Sequence, residues 1–128
     1  MPYLLLLGRI LFTMIFFTSV PENFTKEKIK SVAANGLPLA SVLVPIASVM
    51  AFIGASSILL GVEARWGAWL VIIFLVPVTF VQHRFWTIDD AMKRKIQYIS
   101  FMKNVSIIGG AIFIAVFGSG PLSLDALF

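Results

Sequence analysis

The chain has 128 residues and a mass of 14.1 kDa, which is the length of one domain. Hydrophobic residues make up 59% of it and charged residues only 12%, whereas soluble proteins contain about 45–50% apolar and about 25% charged residues. This composition excludes a small water-soluble domain and a disordered chain. The chain has no cysteine and one histidine, so disulfides, iron–sulfur clusters and multi-histidine metal cages are excluded for the chain acting alone, and no metal is expected.

Four apolar stretches divide the chain, at residues 3–20, 39–60, 66–82 and 101–117. At about 1.5 Å per helical residue each is roughly 25–33 Å long, which is enough to cross the hydrocarbon core of a bilayer. Only helices satisfy their own backbone groups in lipid without closing into a barrel. We therefore predict a single all-α domain over residues 1–128, an integral membrane four-helix bundle in up-down-up-down order.

The first and third connections are predicted to contain short interfacial helices. In the first, Thr25 can cap a helix that carries three lysines and ends at Asn35-Gly36. In the third, Thr87-Ile88-Asp89-Asp90 has the form of a capping box and precedes the basic run Lys93-Arg94-Lys95. Such helices can lie on anionic lipid head groups or recruit a cytoplasmic partner.

The basic residues are distributed unequally between the two sides. With four spans, eight of the ten Lys and Arg residues fall in the first and third connections, and only Arg9 and Arg65 fall on the other side. The positive-inside rule places these connections in the cytoplasm and both termini outside. The sequence therefore predicts a multi-pass membrane protein, and its net charge of +4 indicates orientation rather than binding to nucleic acid.

Small residues and prolines inside the spans predict close packing and bends. Ala47, Ala51 and Ala55 repeat at helical spacing in the second span, which favours a close helix–helix contact. Pro45 and Pro77 each remove a backbone hydrogen bond and are expected to bend the second and third helices.

Arg9 is the one charge well inside a span, about 9 Å below Tyr3 along the first helix. Burial of this charge is costly unless the side chain reaches an anion or the interface. We predict an ion pair with Asp125 or Glu63 that closes the outer end of the bundle. The alternative is that Arg9 binds an anion, a quinone carbonyl or a substrate.

A second polar group is predicted at the cytoplasmic ends of the spans. His83 ends the third span and Lys103-Asn104 begins the fourth, so they could converge with Arg84 and with Glu22-Asn23 after the first span. A histidine there can carry a proton or bond a quinone oxygen, although it can also be ordinary interfacial polarity. Arg9, His83, Lys103 and Asn104 are thus the candidate residues for binding a quinone or an anion, while no catalytic set is recognisable.

Taken in order, several short pieces resemble the DoxX/DoxD-type membrane proteins along nearly the whole chain. The matching pieces are Gly8-Arg9-Ile10, Gly36-Leu37-Pro38, Leu59-Leu60-Gly61, His83 with Phe85-Trp86, Phe101-Met102-Lys103-Asn104, and the tail from Gly118 to Asp125. The resemblance implies a four-helix bundle in the inner membrane of a bacterial cell, associated with quinone-linked oxidoreductases. Many members of that family have a carboxylate where this chain has Ala51, so Arg9 would depend on Asp125 or Glu63 here.

Three functions follow as alternatives. The first, implied by the resemblance, is a quinone-associated or organising subunit of an oxidoreductase assembly, without a redox centre of its own. The second is a transporter of a small molecule or lipid, and the third is a scaffold that recruits a cytoplasmic partner. Membrane lipids are expected to contact the chain in all three, and it could associate with a protein partner or with itself.

Overall fold

The computed structural model describes residues 2–19, 21, 24–34, 36, 39–120 and 122–124, and their regular elements are all helical. The five α-helices are α1 Pro2–Ser19, α2 Lys26–Ala34, α3 Ala40–Leu60, α4 Ala64–Gln82 and α5 Ala91–Phe117. A short 3-10 turn, Phe85–Thr87, joins α4 to α5.

Three of these elements are long and apolar enough to cross a membrane: α3, α4 with the turn that follows it, and α5. The apolar part of α1, Tyr3–Ser19, is shorter. An all-helical membrane bundle therefore agrees with the prediction, whereas the crossing by α1 and the up-down-up-down order stay predictions.

Several small side chains lie in the interior of the bundle, and many large apolar ones face outward. Ala51, Ala55 and Ala68 are fully buried, whereas Phe113 is 67% exposed. Because lipid tails are as apolar as leucine, a membrane bundle gains little from burying large residues and associates through close backbone approach instead. This distribution of residues suits a surface covered by lipid.

Helices α3 and α4 form a hairpin whose contact is closest at two glycines. A Cβ atom on Gly54 would lie 2.7 Å from the Gly67 carbonyl oxygen, and one on Gly67 would lie 2.7 Å from Ser57 Cβ. At the end of α3, Gly61 has a positive φ of 73°, and the Val62 N–H donates to the Ser57 carbonyl at 3.0 Å. This Schellman-type ending turns the chain within three residues and brings the helices back side by side.

The opposite end of α3 packs against α2, and we call this the basic end because the lysines of α2 lie there. The Lys28 N–H donates to Thr25 Oγ1 at 3.2 Å, which confirms the predicted cap. Val32 of α2 packs with Ala40 and Val44 of α3 in a small buried cluster. The predicted end of this helix at Asn35 lies outside the described residues, while Gly36 has a φ of 97°.

The start of α5 differs from the predicted capping box and separate interfacial helix. The N-cap is Asp90, whose side chain accepts from the Met92 N–H at 3.0 Å, while Thr87 Oγ1 donates to the Arg84 carbonyl. From Ala91, α5 continues without a break to Phe117, because neither proline nor glycine interrupts the sequence before Gly109. The third connection and the predicted fourth span therefore share one helix of about 40 Å.

Loss of the Asp90 cap is expected to cost about 1 kcal/mol of stability. Asp90→Ala should accelerate amide hydrogen exchange in the first turn of α5, measured by mass spectrometry on protein in detergent micelles. Asp89→Ala is the matched control, because Asp89 precedes the capping residue. Equal exchange in the two variants would contradict the assignment of the cap.

Candidate functional site

A cleft of about 520 Å³ lies at the basic end of the bundle and has walls from all five helices. Most of its lining is apolar, including Phe16 of α1, Val44 of α3 and Leu75 of α4. Its volume lies within the roughly 300–1,000 Å³ range of small-molecule sites.

Two prolines lie in the part of the α3–α4 hairpin that borders the cleft. Pro77 lines the cleft, and Pro45 lies between Val44 and Ile46, which also line it. A proline inside a helix removes one hydrogen bond and clashes with the preceding turn, so the helix bends. The two helices are held together at Gly54 and Gly67, and the cleft occupies the part of the hairpin that contains the prolines.

The cleft has an apolar rim on the outer surface of the protein. Ile46 of α3 is 56% exposed and Ile73 of α4 is 55% exposed, yet both belong to the cleft lining. A membrane-embedded protein would present this rim to lipid, so an apolar molecule could enter the cleft from the bilayer without crossing water.

A smaller cavity of about 370 Å³ adjoins the cleft, and we call it the vestibule. Its lining is predominantly polar and includes Ser31, Arg84, Thr87 and Gln97. Three residues line both spaces: Lys28, Gln82 and His83. The cleft and the vestibule therefore meet at a polar boundary that contains one lysine and the single histidine.

Hydrogen bonds fix two side chains of the vestibule. His83 Nδ1 lies 2.7 Å from Gln97 Oε1, which ties the end of α4 to α5. Arg84 Nε donates to the Phe80 carbonyl at 3.1 Å. These contacts hold the imidazole and the guanidinium in place at the wall of the vestibule.

Aromatic rings support this part of the chain from the side. Five rings of α4, the 3-10 turn and α5 contact one another with centroid separations between 5.0 and 6.3 Å, mostly edge to face. They are Phe80, Phe85, Trp86, Tyr98 and Phe101. Edge-to-face pairs add to the energy of burial, so this cluster fixes the turn that carries Arg84.

Three of the predicted site residues lie together at the basic end. His83, Lys103 and Asn104 all line the cleft, and Asn104 is only 7% exposed although it is polar. Arg84 lines the neighbouring vestibule. Glu22 and Asn23, which were predicted to join this cluster, lie outside the described residues.

Arg9 lies apart from this cluster, at the end of the bundle that carries the α3–α4 turn. It is 4% exposed, so it does not extend to the interface. Its Nη1 donates to the Ile58 carbonyl at 3.4 Å, and its Nη2 donates to the Leu122 carbonyl. The side chain thus links the end of α3 to the tail that follows α5.

The predicted ion pairs of Arg9 stay predictions. Asp125 lies outside the described residues, and the contacts given above for Arg9 are to backbone carbonyls rather than to Glu63. Arg9 Nε is buried and has no hydrogen-bond partner among the residues that the structure describes. Gly61 makes room for this arrangement, because a Cβ there would collide with Ser123 and with the Arg9 guanidinium.

Two residues of the site have no role in the sequence prediction. Lys28 was one of three lysines assigned to an interfacial helix, and only the contact of α2 with α3 selects it for the cleft. Gln97 bonds His83 across fourteen residues, and no spacing rule predicts that contact. The one signal for Gln97 in the sequence is that it is an uncharged residue within a basic helical segment.

Comparison with known proteins gives a consistent family. The model of the SURF4 family matches residues 1–127. The chain is 33% identical over 127 residues to inner membrane protein YphA of Escherichia coli K12, covering 97% of this chain and 89% of that protein. It is 24% identical over 124 residues to a Surfeit locus protein 4 homolog of Schizosaccharomyces pombe, covering 96% of this chain but only 37% of that longer protein. No solved structure matches.

These matches overturn the resemblance to the DoxX/DoxD proteins. That resemblance rested on short pieces rich in glycine, proline and aromatic residues, which many membrane helices share. The assignment was wrong, and the family argument for a quinone-linked oxidoreductase no longer holds. The chain is an integral membrane protein in contact with lipid, and it belongs to the SURF4 family.

Proposed function

We propose that this protein binds a lipid-like amphiphile in the cleft at its basic end, as a carrier or transporter of that molecule. The observation that carries the proposal is an apolar cleft with an exposed apolar rim and a polar boundary where it meets the vestibule. A molecule with an apolar tail and a polar head matches both parts.

The arrangement in the membrane is part of this proposal. All four long helices cross the bilayer in up-and-down order, and the basic end faces the cytoplasm of a bacterial cell. The contact between Arg9 and the Ile58 carbonyl supports the order, because it brings the first half of α1 to the end of α3. A reporter fused to the C-terminus should be active outside the cytoplasm, and cytoplasmic activity would overturn this orientation.

Filling the cleft tests the proposed binding. A long-chain amphiphile with a photoactivatable group in its tail should label peptides of α3 and α4 that line the cleft. Ala47→Trp should reduce this labelling about tenfold or more, because the indole would occupy space that the tail needs.

The control is Val49→Trp, on the same helix two residues away. Val49 is half exposed and is not part of the cleft, so labelling should stay within about twofold of the unmodified protein. Equal labelling in both variants, or labels spread evenly over all the lipid-facing helices, would mean that the cleft does not bind the amphiphile.

A quinone is the second candidate ligand, and only the residues that line the cleft support it. Its ring is apolar, and its carbonyl oxygens could accept from His83 or Asn104, which line the cleft. A quinone is neutral, however, and would leave the surrounding cations without a counter-charge. Extraction of purified protein followed by mass spectrometry separates the two ligands, since a stoichiometric quinone would favour the redox subunit.

A scaffold that recruits a cytoplasmic partner is the third candidate. It rests on Lys93, Arg94 and Lys95, which are exposed on the first turn and a half of α5 and lie outside the cleft. Reversal of these three charges should leave amphiphile labelling unchanged. If the reversal instead removed a co-purifying protein, recruitment would be an additional function of α5.

A further inference from the structure

The proposed binding leaves open what head group the vestibule accepts. We infer that the vestibule recognises a phosphate ester, so that the amphiphile of the cleft carries a phosphate head group at the boundary formed by Lys28 and His83. This inference rests on the proposed function, because it assigns the polar end of the same ligand.

The charges of the site favour an anion. Lys28 lines both spaces, Arg84 lines the vestibule and Lys103 lines the cleft, whereas no Asp or Glu among the described residues lines either one. Three like charges at one end of the bundle repel one another, and an anionic head group offsets that cost.

The types of donor favour phosphate over a single carboxylate. A phosphate carries up to two charges and three strong acceptor oxygens, so it can use several donors that point inward from different elements. The vestibule offers an ammonium from α2, a guanidinium beside the 3-10 turn, and the hydroxyl of Ser31. Arginine suits phosphate because its planar fork can donate two parallel hydrogen bonds.

The position of the boundary agrees with an amphiphile rather than a free anion. Lys28, Gln82 and His83 line both spaces, so a head group in the vestibule lies directly at the end of the apolar cleft. His83 is held there by its contact with Gln97 at 2.7 Å. A ligand that spans the boundary would use the apolar walls for its tail and the cations for its head.

Three probes of matched structure test the inference on the full-length protein in detergent micelles. Lysophosphatidic acid has one tail and a phosphate monoester, monoacylglycerol is the same molecule without the phosphate, and inorganic phosphate has no tail. We expect lysophosphatidic acid to displace the photoactivatable amphiphile at a concentration at least about tenfold lower than monoacylglycerol, since hydrogen bonds to charged groups are the strong ones.

Lys28→Gln should lower that preference about threefold or more, because it weakens displacement by lysophosphatidic acid more than displacement by monoacylglycerol. Lys30→Gln is the matched control, because it removes the same charge from the same helix at a position outside both linings. The control should keep the full preference, which separates a specific contact from a general effect of net charge.

The remaining outcomes distinguish the two proposals. Equal displacement by lysophosphatidic acid and monoacylglycerol would overturn the phosphate inference and leave the cleft as an amphiphile site. Failure of both lipids would overturn both proposals. Displacement by inorganic phosphate as effective as that by lysophosphatidic acid would show a site for a free anion and overturn the assignment of a phosphate-bearing amphiphile.

Discussion

Replacement of Arg9 by methionine is expected to lower the free energy of unfolding by about 1–3 kcal/mol and to release the tail around Leu122. Methionine keeps most of the apolar stem but removes the donors to the Ile58 and Leu122 carbonyls. The Ile58 carbonyl still accepts from the Gly61 N–H, whereas the tail loses a bond that joins it to α1. Unfolding in detergent and hydrogen exchange of residues 118–124 measure the two effects.

The control for Arg9 is Arg94→Met, the same change at an exposed position of α5. It should leave both stability and exchange of the tail unchanged. Arg9→Lys should be intermediate, because a compact ammonium on a shorter side chain does not provide the fork that reaches two carbonyls. If Arg9→Met left the exchange of the tail unchanged, Arg9 would not hold the tail against α1 and α3.

Gly54→Ala is expected to destabilise the α3–α4 hairpin by about 1–3 kcal/mol, although alanine is the better helix former. The added methyl would lie 2.7 Å from the Gly67 carbonyl oxygen and 3.1 Å from Val71, so one helix has to move away from the other. Since the hairpin also forms two walls of the cleft, amphiphile labelling should fall with stability. Unfolding by increasing fractions of denaturing detergent, followed by circular dichroism, measures the change.

The matched control is Gly109→Ala in α5, where nothing lies within 4 Å of the new methyl group. Helix propensity predicts a gain of up to about 1 kcal/mol at that position. The two substitutions are chemically identical and should have opposite signs. A similar gain at Gly54 would mean that α3 and α4 are not in close contact there.

The sequence predicts the helices well because their signals are local. Apolar stretches separated by charged connections gave the positions of α3 and α4, and Thr25 was recognised as a cap from its place before a helical pattern. The predicted start of α5 was wrong because both Thr87 and Asp90 are residue types that favour the N-cap position. The ring contacts of Phe85 and Trp86 hold the chain in a 3-10 turn there, and Thr87 is part of that turn.

The site is predicted less well because it depends on which helix faces meet. His83 and Asn104 both line the cleft, and the sequence places both at the same boundary of a span. The role of Lys28 depends on the packing of Val32 against α3. The sequence alone does not distinguish Lys28 from the other two lysines of α2. The partners found for Arg9 are backbone carbonyls, and every residue has one, so the sequence carries no signal for them.

Because α5 is a single helix from Ala91 to Phe117, it connects the two ends of the molecule. Asn104 lies against the ligand cleft, while at the far end Gly118 follows the helix and packs against Arg65 of the hairpin. A tilt of α5 at the cleft would move Gly118 as well, whereas a bend at Gly109-Gly110, which lie between the two, would absorb it. A spectroscopic label beside Gly118 would distinguish the two, because it senses the filling of the proposed ligand site only if α5 moves as one unit.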